Sequence, residues 1–383
     1  MKPLSPMKFF IENKKRSAVV CVIVLLSIAV TSFITSIMGG MLDDGTNSNL
    51  FPFEHFSIMS KTADSLYLDD SVVDKVKSWP ETDQVIEATM ETSLYNALMG
   101  NMPIPIFFIS DTDEIGKIAE HMGIKLIDGR LPVKDGYELA LSEKYLKSKD
   151  LKIGDYFGGE VDSEEWLVGR YKIVGVLDSE AMIGFGNNSM TMNSYRAAGI
   201  PEEKSVSLLV IPKDGQLGRL NEKLDSLNEQ DAVLTTKDTQ QKFIDELVGS
   251  SVQMLDAVII TIVFILSISV GTLIYIIYLG RTDEFGILYA MGYTKGFIRR
   301  RIVLELVFLS ALCWLLGFGV SVAMTYCLNV FLLADKGQSL ALFTRNGLMN
   351  TIYMPIMVLV CAAIPIARKL GKWDPIAVIE RRE

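Results

Sequence analysis

The sequence predicts an α-helical membrane protein with four transmembrane helices and an extracytoplasmic α/β mixed-sheet domain inserted between helices 1 and 2. Three observations support this: four long stretches without charged residues, an uneven distribution of lysine and arginine, and a polar segment of alternating strand-like and helix-like runs. The chain has 383 residues, 49% hydrophobic and 22% charged, and a mean hydropathy of +0.30. Positive hydropathy beside an ordinary charge content indicates that apolar residues are concentrated in segments.

The charge-free stretches contain no Asp, Glu, Lys or Arg and cover 17–42, 257–280, 306–334 and 346–367. Each is long enough for the roughly 20 apolar residues that cross about 30 Å of hydrocarbon. They are rich in Val, Ile, Leu, Phe and Met, the residues typical of membrane helices. A water-soluble enzyme is therefore excluded.

The distribution of lysine and arginine predicts the orientation of the chain in the membrane. Five cations precede the first stretch, five lie between the second and third, and five follow the fourth, whereas only Lys336 and Arg345 lie between the third and fourth. The positive-inside rule then predicts a multi-pass protein of the plasma membrane, with both termini cytoplasmic. Residues 42–256 face outward and carry 38 acidic and 20 basic residues, a net charge of −18. No nucleic-acid partner is expected, because no basic groove is apparent; the acidity indicates solubility or, alternatively, recognition of a cationic ligand.

The outer segment alternates extended and helical runs, which predicts a mixed sheet. Residues 238–256 carry apolar residues at helical spacing and lead without a break into the second span, so they predict a stalk helix. The predicted organisation is a cytoplasmic interfacial helix at 1–16, transmembrane helix 1 at 17–42, the α/β domain at 43–237, the stalk at 238–256, transmembrane helix 2 at 257–280, a cytoplasmic coupling loop and helix at 281–301, transmembrane helix 3 at 302–334, a short extracytoplasmic loop at 335–345, transmembrane helix 4 at 346–367 and a cytoplasmic tail at 368–383.

The segment between the second and third spans predicts a short helix with one apolar side. Phe285, Ile287, Leu288 and Met291 follow a charged start, and Gly292 closes the helix. The helix is too short to span the membrane. An apolar face at the cytoplasmic surface needs a partner or the lipid surface, and a docking helix for a cytoplasmic protein fits.

These residues resemble the MacB/FtsX-type (type VII, mechanotransmission) ABC transporter permeases. The matching positions here are Arg281, Glu284, Gly286, Ile287, Leu288, Ala290, Gly292 and Glu305. Further similarity lies at 128–132 (DGRLP), 138–142 (ELALS), 151–155 (LKIGD), 171–177 (YKIVGVL) and 373–376 (WDPI). With the arrangement of one span and then three, the resemblance covers nearly the whole chain. Phe285 departs from the pattern, since Ile is usual there.

The resemblance implies a bacterial permease that dimerises with a second copy or a paralogue and binds a cytoplasmic ABC ATPase. ATP and Mg belong to that partner, since this chain has no G-x-x-x-x-G-K-[ST] motif, and no catalytic or metal site is expected here. The substrate would be a peptide, antimicrobial, lipopeptide or lipoprotein, extruded at the outer face. The alternative is an FtsX-like mechanotransmitter that regulates an extracytoplasmic cell-wall hydrolase or sensor. The residues expected to dock the ATPase are Arg281, Glu284, Phe285, Gly286, Ile287, Leu288, Met291, Gly292, Arg299 and Arg300.

Small residues at helical spacing within the spans allow close helix approach, either inside one subunit or at a dimer seam. They are Ser267, Gly271, Gly317, Gly319 and Ser321. Glu305 at the mouth of the third span is costly in contact with lipid. It is expected to pair with Arg281 or Arg301, or to extend its carboxylate toward water.

The orientation is testable by labelling positions 285 to 291 in intact cells. Reagent supplied from the inside should reach them, because the positive-inside rule places this loop in the cytoplasm. Labelling by external reagent alone would show the inverted orientation.

Overall fold

The computed structural model describes residues 14–97, 100–134, 136–201, 204–227, 231–340, 342 and 345–372. The chain divides into two compact units. The membrane unit contains residues up to 40, 251–328 and those from 340 onward, and the α/β unit contains 41–250 and 329–339. The predicted interfacial helix up to residue 13 and the WDPI motif at 373–376 lie outside the described residues.

The described helices are α1 (Lys14–Leu50), α2 (Asp70–Lys77), α3 (Thr112–His121), α4 (Glu143–Lys149), α5 (Met190–Ala197), α6 (Leu217–Asp225), α7 (Lys237–Leu279), α8 (Thr282–Ala290), α9 (Lys295–Leu328) and α10 (Arg345–Lys372). The strands are β1 (Ser57–Ser60), β2 (Thr82–Ala97), β3 (Gly100–Ile109), β4 (Lys125–Gly129), β5 (Glu138–Ser142), β6 (Tyr156–Phe157), β7 (Tyr171–Asp178), β8 (Gly184–Asn187), β9 (Ser207–Pro212) and β10 (Val233–Thr235).

Three helices are long and apolar enough to cross a membrane among the described residues: Asp256–Leu279, Lys295–Leu333 and Thr351–Lys369. The predicted first span lies within α1, where the shorter stretch Cys21–Ile37 is apolar, so a fourth span stays a prediction. Helix α9 begins at Lys295, so the basic residues up to 301 form its first turns. Sequence analysis had assigned them to the preceding loop.

The membrane unit has an apolar core to which α1, α7, α8, α9 and α10 all contribute. Small residues bring its helices together. A Cβ added at Gly271 in α7 would lie 2.6 Å from Cys361 Cβ in α10, and one at Gly317 in α9 would lie 2.9 Å from the carbonyl oxygen of Leu25 in α1. In the same unit, Trp314 Nε1 donates to Thr351 Oγ1 at 3.2 Å. Close approach of backbones is how helices gain packing contacts in a membrane, where no hydrophobic effect drives association.

The α/β unit contains one mixed sheet, with strand order β10-β1-β9-β2-β3-β8-β5-β7-β4, and β6 pairs with β7. The β3–β8 and β5–β7 pairs are parallel, and the other pairs are antiparallel. The mixed α/β domain predicted from the sequence is therefore confirmed. Helices α3 and α6 each bury an apolar side, because Ile115 and Ile118 of α3 and Leu220 and Leu224 of α6 are all fully buried.

The turn after β4 is held by an ion pair. Arg130 donates through Nη1 and Nη2 to the two carboxylate oxygens of Glu138, at 2.7 and 2.6 Å. Glu138 Oε2 also accepts the N–H of Val133 at 3.0 Å. Hydrogen bonding to Arg130 lowers the pKa of Glu138, because it favours the charged carboxylate. These motif residues therefore fix a local turn.

Helix α1 is longer than the predicted span, and one segment that the sequence does not assign to the α/β unit belongs to it. Helix α1 continues to Leu50, and there Asn49 Nδ2 donates to the Pro103 carbonyl at 2.9 Å. Residues 329–339, which follow α9, also lie in this unit. Gln338 donates to the Asn96 carbonyl, and a Cβ added at Gly337 would lie 2.8 Å from Lys144 Cα. Such long-range contacts have no signature in local hydropathy.

Replacing Gly129 by Ala should destabilise the α/β unit more than the same change at Gly123. Both glycines are left-handed, with φ of +74° and +69°. A Cβ at Gly129 would overlap the Val174 carbonyl oxygen, whereas nothing lies within 4 Å at Gly123. Gly123→Ala should cost about 1 kcal/mol for the backbone conformation, and Gly129→Ala about 2 kcal/mol more because of overpacking.

The measurement is the protease resistance of the full chain in detergent at increasing temperature. Equal losses for the two variants would contradict the steric account, because the backbone conformation alone would then explain both.

Candidate functional site

The short helix α8 lies between α7 and α9 in the chain, and its C-terminus has a defined cap. At its C-terminus the N–H of Tyr293 bonds to the Leu288 carbonyl at 3.2 Å, and the N–H of Gly292 bonds to the Tyr289 carbonyl at 2.9 Å. With Gly292 at φ +94°, this is a Schellman motif, in which a left-handed glycine satisfies the last carbonyls. The Tyr293 and Phe297 rings then stack, with centroids 5.1 Å apart. The connection to α9 is therefore a structured turn.

The apolar residues of α8 divide between two faces. Phe285 and Leu288 are 2% and 5% exposed and join the core of the membrane unit. Ile287 and Met291 are 56% and 59% exposed. Helix geometry explains the division, because residues two apart point about 200° apart, whereas residues three or four apart share a face. The single apolar side expected from the sequence is therefore split.

Arg281 precedes α8 and forms ion pairs with Glu284 in α8 and Glu305 in α9. Its side chain is 6% exposed, and its Nη1 lies 3.1 Å from Oε1 of Glu305, which is 5% exposed. Its Nε lies 3.1 Å from Oε2 of Glu284, whose side chain is 49% exposed. The guanidinium also lies 5.2 Å from the Tyr278 ring centroid and 5.4 Å from that of Phe285. Of the partners expected for Glu305, the structure therefore brings Arg281 to it.

A buried ion pair of this kind is sensitive to the loss of either partner. Removing one charge leaves the other buried without compensation, which typically costs about 3–5 kcal/mol. Arg281 follows α7, and Glu305 lies within α9. The pair therefore ties the start of α8 to the helix that follows it.

The remaining predicted docking residues differ in their exposure. Gly286 is buried and Gly292 is exposed. Arg299 and Arg300 are exposed on the first turns of α9. Sequence analysis missed Tyr278, which is 6% exposed beside Arg281, and the stacked Tyr293 and Phe297. A Tyr one turn before an Arg is a weak signal, since aromatic residues at the ends of spans are common.

The small residues of the spans take different positions. Ser267 and Ser321 are buried at 0% and 2% exposure, and Gly271 and Gly317 lie against helices of the same chain. Gly319 is exposed, and nothing lies within 4 Å of a Cβ added there. Packing inside one subunit therefore uses four of the five residues.

Residues 257–371 match the family described as FtsX-like permease C-terminal. This range contains α8 and its ion pair, so the match confirms the resemblance to MacB/FtsX-type permeases for this part of the chain. No curated protein sequence matches.

Two solved structures are similar to part of the chain. The periplasmic region of MacB from Actinobacillus actinomycetemcomitans is 16% identical over 50% of this chain and 92% of its own, with a TM-score of 0.30. The extracellular domain of the noncanonic ABC-type transporter YknZ from Gram-positive bacteria is 12% identical over 47% of this chain and 99% of its own, with a TM-score of 0.28.

Breaking the pair between Arg281 and Glu305 should destabilise the membrane unit. Arg281→Met or Glu305→Leu should each lower the free energy of unfolding by about 3 kcal/mol, because each leaves a buried charge unpaired. The double variant should recover much of this loss, since apolar replacement of both partners is often neutral. The measurement is a double-mutant cycle: thermal unfolding in detergent of the wild type, the two single variants and the double variant.

Glu284→Gln serves as the control, because its half-exposed pair with Arg281 should contribute less than about 1 kcal/mol. Additive losses in the double variant would show that the two buried charges do not compensate each other.

Proposed function

We propose that this chain, which carries an FtsX-like permease domain, is the membrane subunit of an ABC transporter of the MacB/FtsX type. The family implies a membrane-bound ABC system with a cytoplasmic ATPase, in which the permease is a non-catalytic subunit. In the proposed function, ATP hydrolysis by the separate ATPase drives extrusion of a peptide, antimicrobial, lipopeptide or lipoprotein at the outer face of the plasma membrane.

The observation that carries the proposal is the exposed pair Ile287 and Met291 on a helix whose other face is buried. Two large apolar side chains, each more than half exposed, form a small contact surface on α8. Opposite them Phe285 and Leu288 fasten the same helix to the membrane unit. A partner that binds Ile287 and Met291 and displaces them would therefore also displace Phe285 and Leu288, which pack in the core of the membrane unit.

Charge favours an acidic partner surface at this site. Arg299 and Arg300 are exposed on the next helix, and an acidic rim around an apolar pocket would complement them. In the proposed complex the apolar pair fills a pocket of the ATPase, and the arginines orient the encounter. The helix-in-groove mode of recognition uses this combination of apolar anchors and flanking charges.

The fold supports transmission of movement from α8. The pair of Arg281 and Glu305 joins the start of α8 to α9, and α7 is one unbroken helix from Lys237 to Leu279. Residues 238–256, the predicted stalk, lie within it. Gly249 and Gly271 lie within α7, and the helix continues through both positions and contains no proline. In the proposed mechanism, movement imposed on α8 is passed along α7 toward Lys237.

The grouping of segments supports the proposed orientation. Residues 329–339, which follow the third predicted span, lie in one compact unit with the α/β domain, so both would lie on the same side of the membrane. Helix α8 lies between the second and third predicted spans and would be on the other side. The cation-rich segments then favour the cytoplasm for α8.

A second copy or a paralogue would complete the assembly. Among Ser267, Gly271, Gly317, Gly319 and Ser321, Gly319 has open surroundings, and Ala323, four residues later, is exposed as well. Spacing of small residues by four suits close helix association in a membrane. We therefore assign the dimer contact to this face of α9.

The docking site is tested by charge substitution. Ile287→Asp and Met291→Asp should each reduce by about tenfold or more the ATPase that co-purifies with the chain from its native membrane, because a carboxylate in an apolar pocket is strongly unfavourable. The thermal stability of the permease should not change, since both positions are exposed.

Two controls accompany this measurement. Leu66→Asp alters an apolar residue of the α/β unit that is more exposed still, at 70%, and should leave the ATPase bound. Phe285→Asp alters the buried face of α8 and should instead unfold the membrane unit. Wild-type amounts of ATPase with both Ile287→Asp and Met291→Asp would overturn the docking role.

Reconstitution of the chain with its ATPase then separates the two candidate activities. Peptide-stimulated ATP hydrolysis with export supports the transporter. Hydrolysis coupled only to activation of an added cell-wall hydrolase supports an FtsX-like regulator instead.

A further inference from the structure

The segment Gly158–Gly169 of the α/β unit forms a compact loop whose ends meet. The N–H of Gly159 bonds to the Leu167 carbonyl at 2.7 Å, and the N–H of Glu160 bonds to the Gly169 carbonyl at 3.1 Å. Gly158 and Gly169 have φ of +125° and +105°, and a Cβ at Gly158 would collide with the Gly169 backbone. Closed loops of this length that pack on their own side chains are frequently functional.

A buried carboxylate anchors this loop. Glu165 is 7% exposed, and its Oε1 accepts from Ser93 Oγ at 2.8 Å and from the Leu94 N–H at 3.0 Å, both on β2. The same oxygen accepts the N–H of Trp166 at 3.0 Å. The other oxygen lies 3.3 Å from Lys149 Nζ on α4. The backbone beside Trp166 is therefore held from two secondary-structure elements.

The anchored backbone presents a row of exposed side chains. Burial alternates from residue 164 to 169, with Glu165 and Leu167 inside and Glu164, Trp166 and Val168 outside. Trp166 is 64% and Val168 58% exposed, and Val161 on the same loop is 52% exposed. In an extended chain, alternate residues lie about 6.6 Å apart on one face. A rigidly held and exposed Trp is unusual on a free surface and typical of a binding hot spot.

The loop surface is acidic as well as apolar. Its twelve residues include Glu160, Asp162, Glu164 and Glu165 and no Lys or Arg. Lys149 lies near Glu165 and Asp162, at 3.3 and 4.0 Å, whereas Glu160 and Glu164 form no ion pair with any residue the structure describes. Arg170, which follows the loop, lies over the Tyr156 ring at 4.0 Å.

We propose that the loop Gly158–Gly169 binds cationic amphipathic peptides, with Trp166, Val161 and Val168 contacting their apolar side and Glu160 and Glu164 contacting their basic residues. Charge favours such a peptide over two other occupants, a second copy of this chain and an anionic lipid surface. A second copy would bring another segment with a net charge of −18 against these acids, and an anionic lipid surface would be repelled by them. The inference rests on the proposed function, which places the α/β unit outside the membrane and names peptides among the substrates.

The test is peptide binding to the full chain in phosphatidylcholine nanodiscs, without ATPase. The probe is a fluorescent amphipathic peptide of Leu and Lys, and fluorescence anisotropy gives the Kd after subtraction of binding to empty discs. Trp166→Ala should weaken binding by about tenfold or more. The double variant Glu160→Gln and Glu164→Gln should weaken binding and reduce its dependence on salt. A matched peptide of Leu and Glu should bind far more weakly.

Leu66→Ala is the control, because this exposed apolar residue of the same unit lies outside the loop; it should leave the Kd unchanged. All substituted side chains are exposed, so thermal unfolding should match the wild type. Equal Kd values for the wild type, Trp166→Ala and the double variant would overturn the proposal. Equal binding of the acidic peptide, or binding no greater than to empty discs, would overturn it too. Failure of the proposed function is distinguishable, since it appears as an absence of co-purified ATPase and leaves this binding unaffected.

Discussion

The ion pair of Arg281 and Glu305 is the interaction on which the membrane unit's most distinctive segment depends. Burying two charges at the edge of a membrane span is expensive unless each compensates the other. Here the cation precedes α8 and the carboxylate lies in α9, with Tyr278 and Phe285 around the guanidinium. The ion pair thus fixes the position of α8, and that position determines which of its residues are exposed.

The same principle operates in the α/β unit. Glu165 is buried with Lys149 and with backbone donors of β2 and of its own loop. In both places a carboxylate and a cation inside the fold help to hold a short segment. In both places that segment exposes large apolar side chains, Ile287 and Met291 on α8 and Trp166 on the loop. A segment held by buried charge keeps its geometry without covering its apolar surface, which remains available to a partner.

Prediction from the sequence is most complete where a single local pattern controls the outcome. Charge-free stretches predict the long apolar helices because hydrocarbon cannot solvate backbone groups or charges. Gly292 ends α8 because only glycine adopts the left-handed conformation there without cost. The face of α8 was predicted only in part. Phe285, Ile287, Leu288 and Met291 are equally apolar in the sequence, and the neighbouring helices α7, α9 and α10 decide which of them are covered.

By itself the sequence determined the class of protein, the mixed α/β domain, the helical stalk and the short helix between the second and third predicted spans, because each rests on hydropathy or periodicity within one segment. Only the tertiary structure decided that Glu305 meets Arg281, that Gly271 and Gly317 pack inside the chain, and that residues 329–339 join the α/β unit. It also decided that Glu165 is buried beneath an exposed Trp166. These features join residues distant in sequence, and the energy of a buried charge or a close backbone contact depends on the partner that folding brings to it.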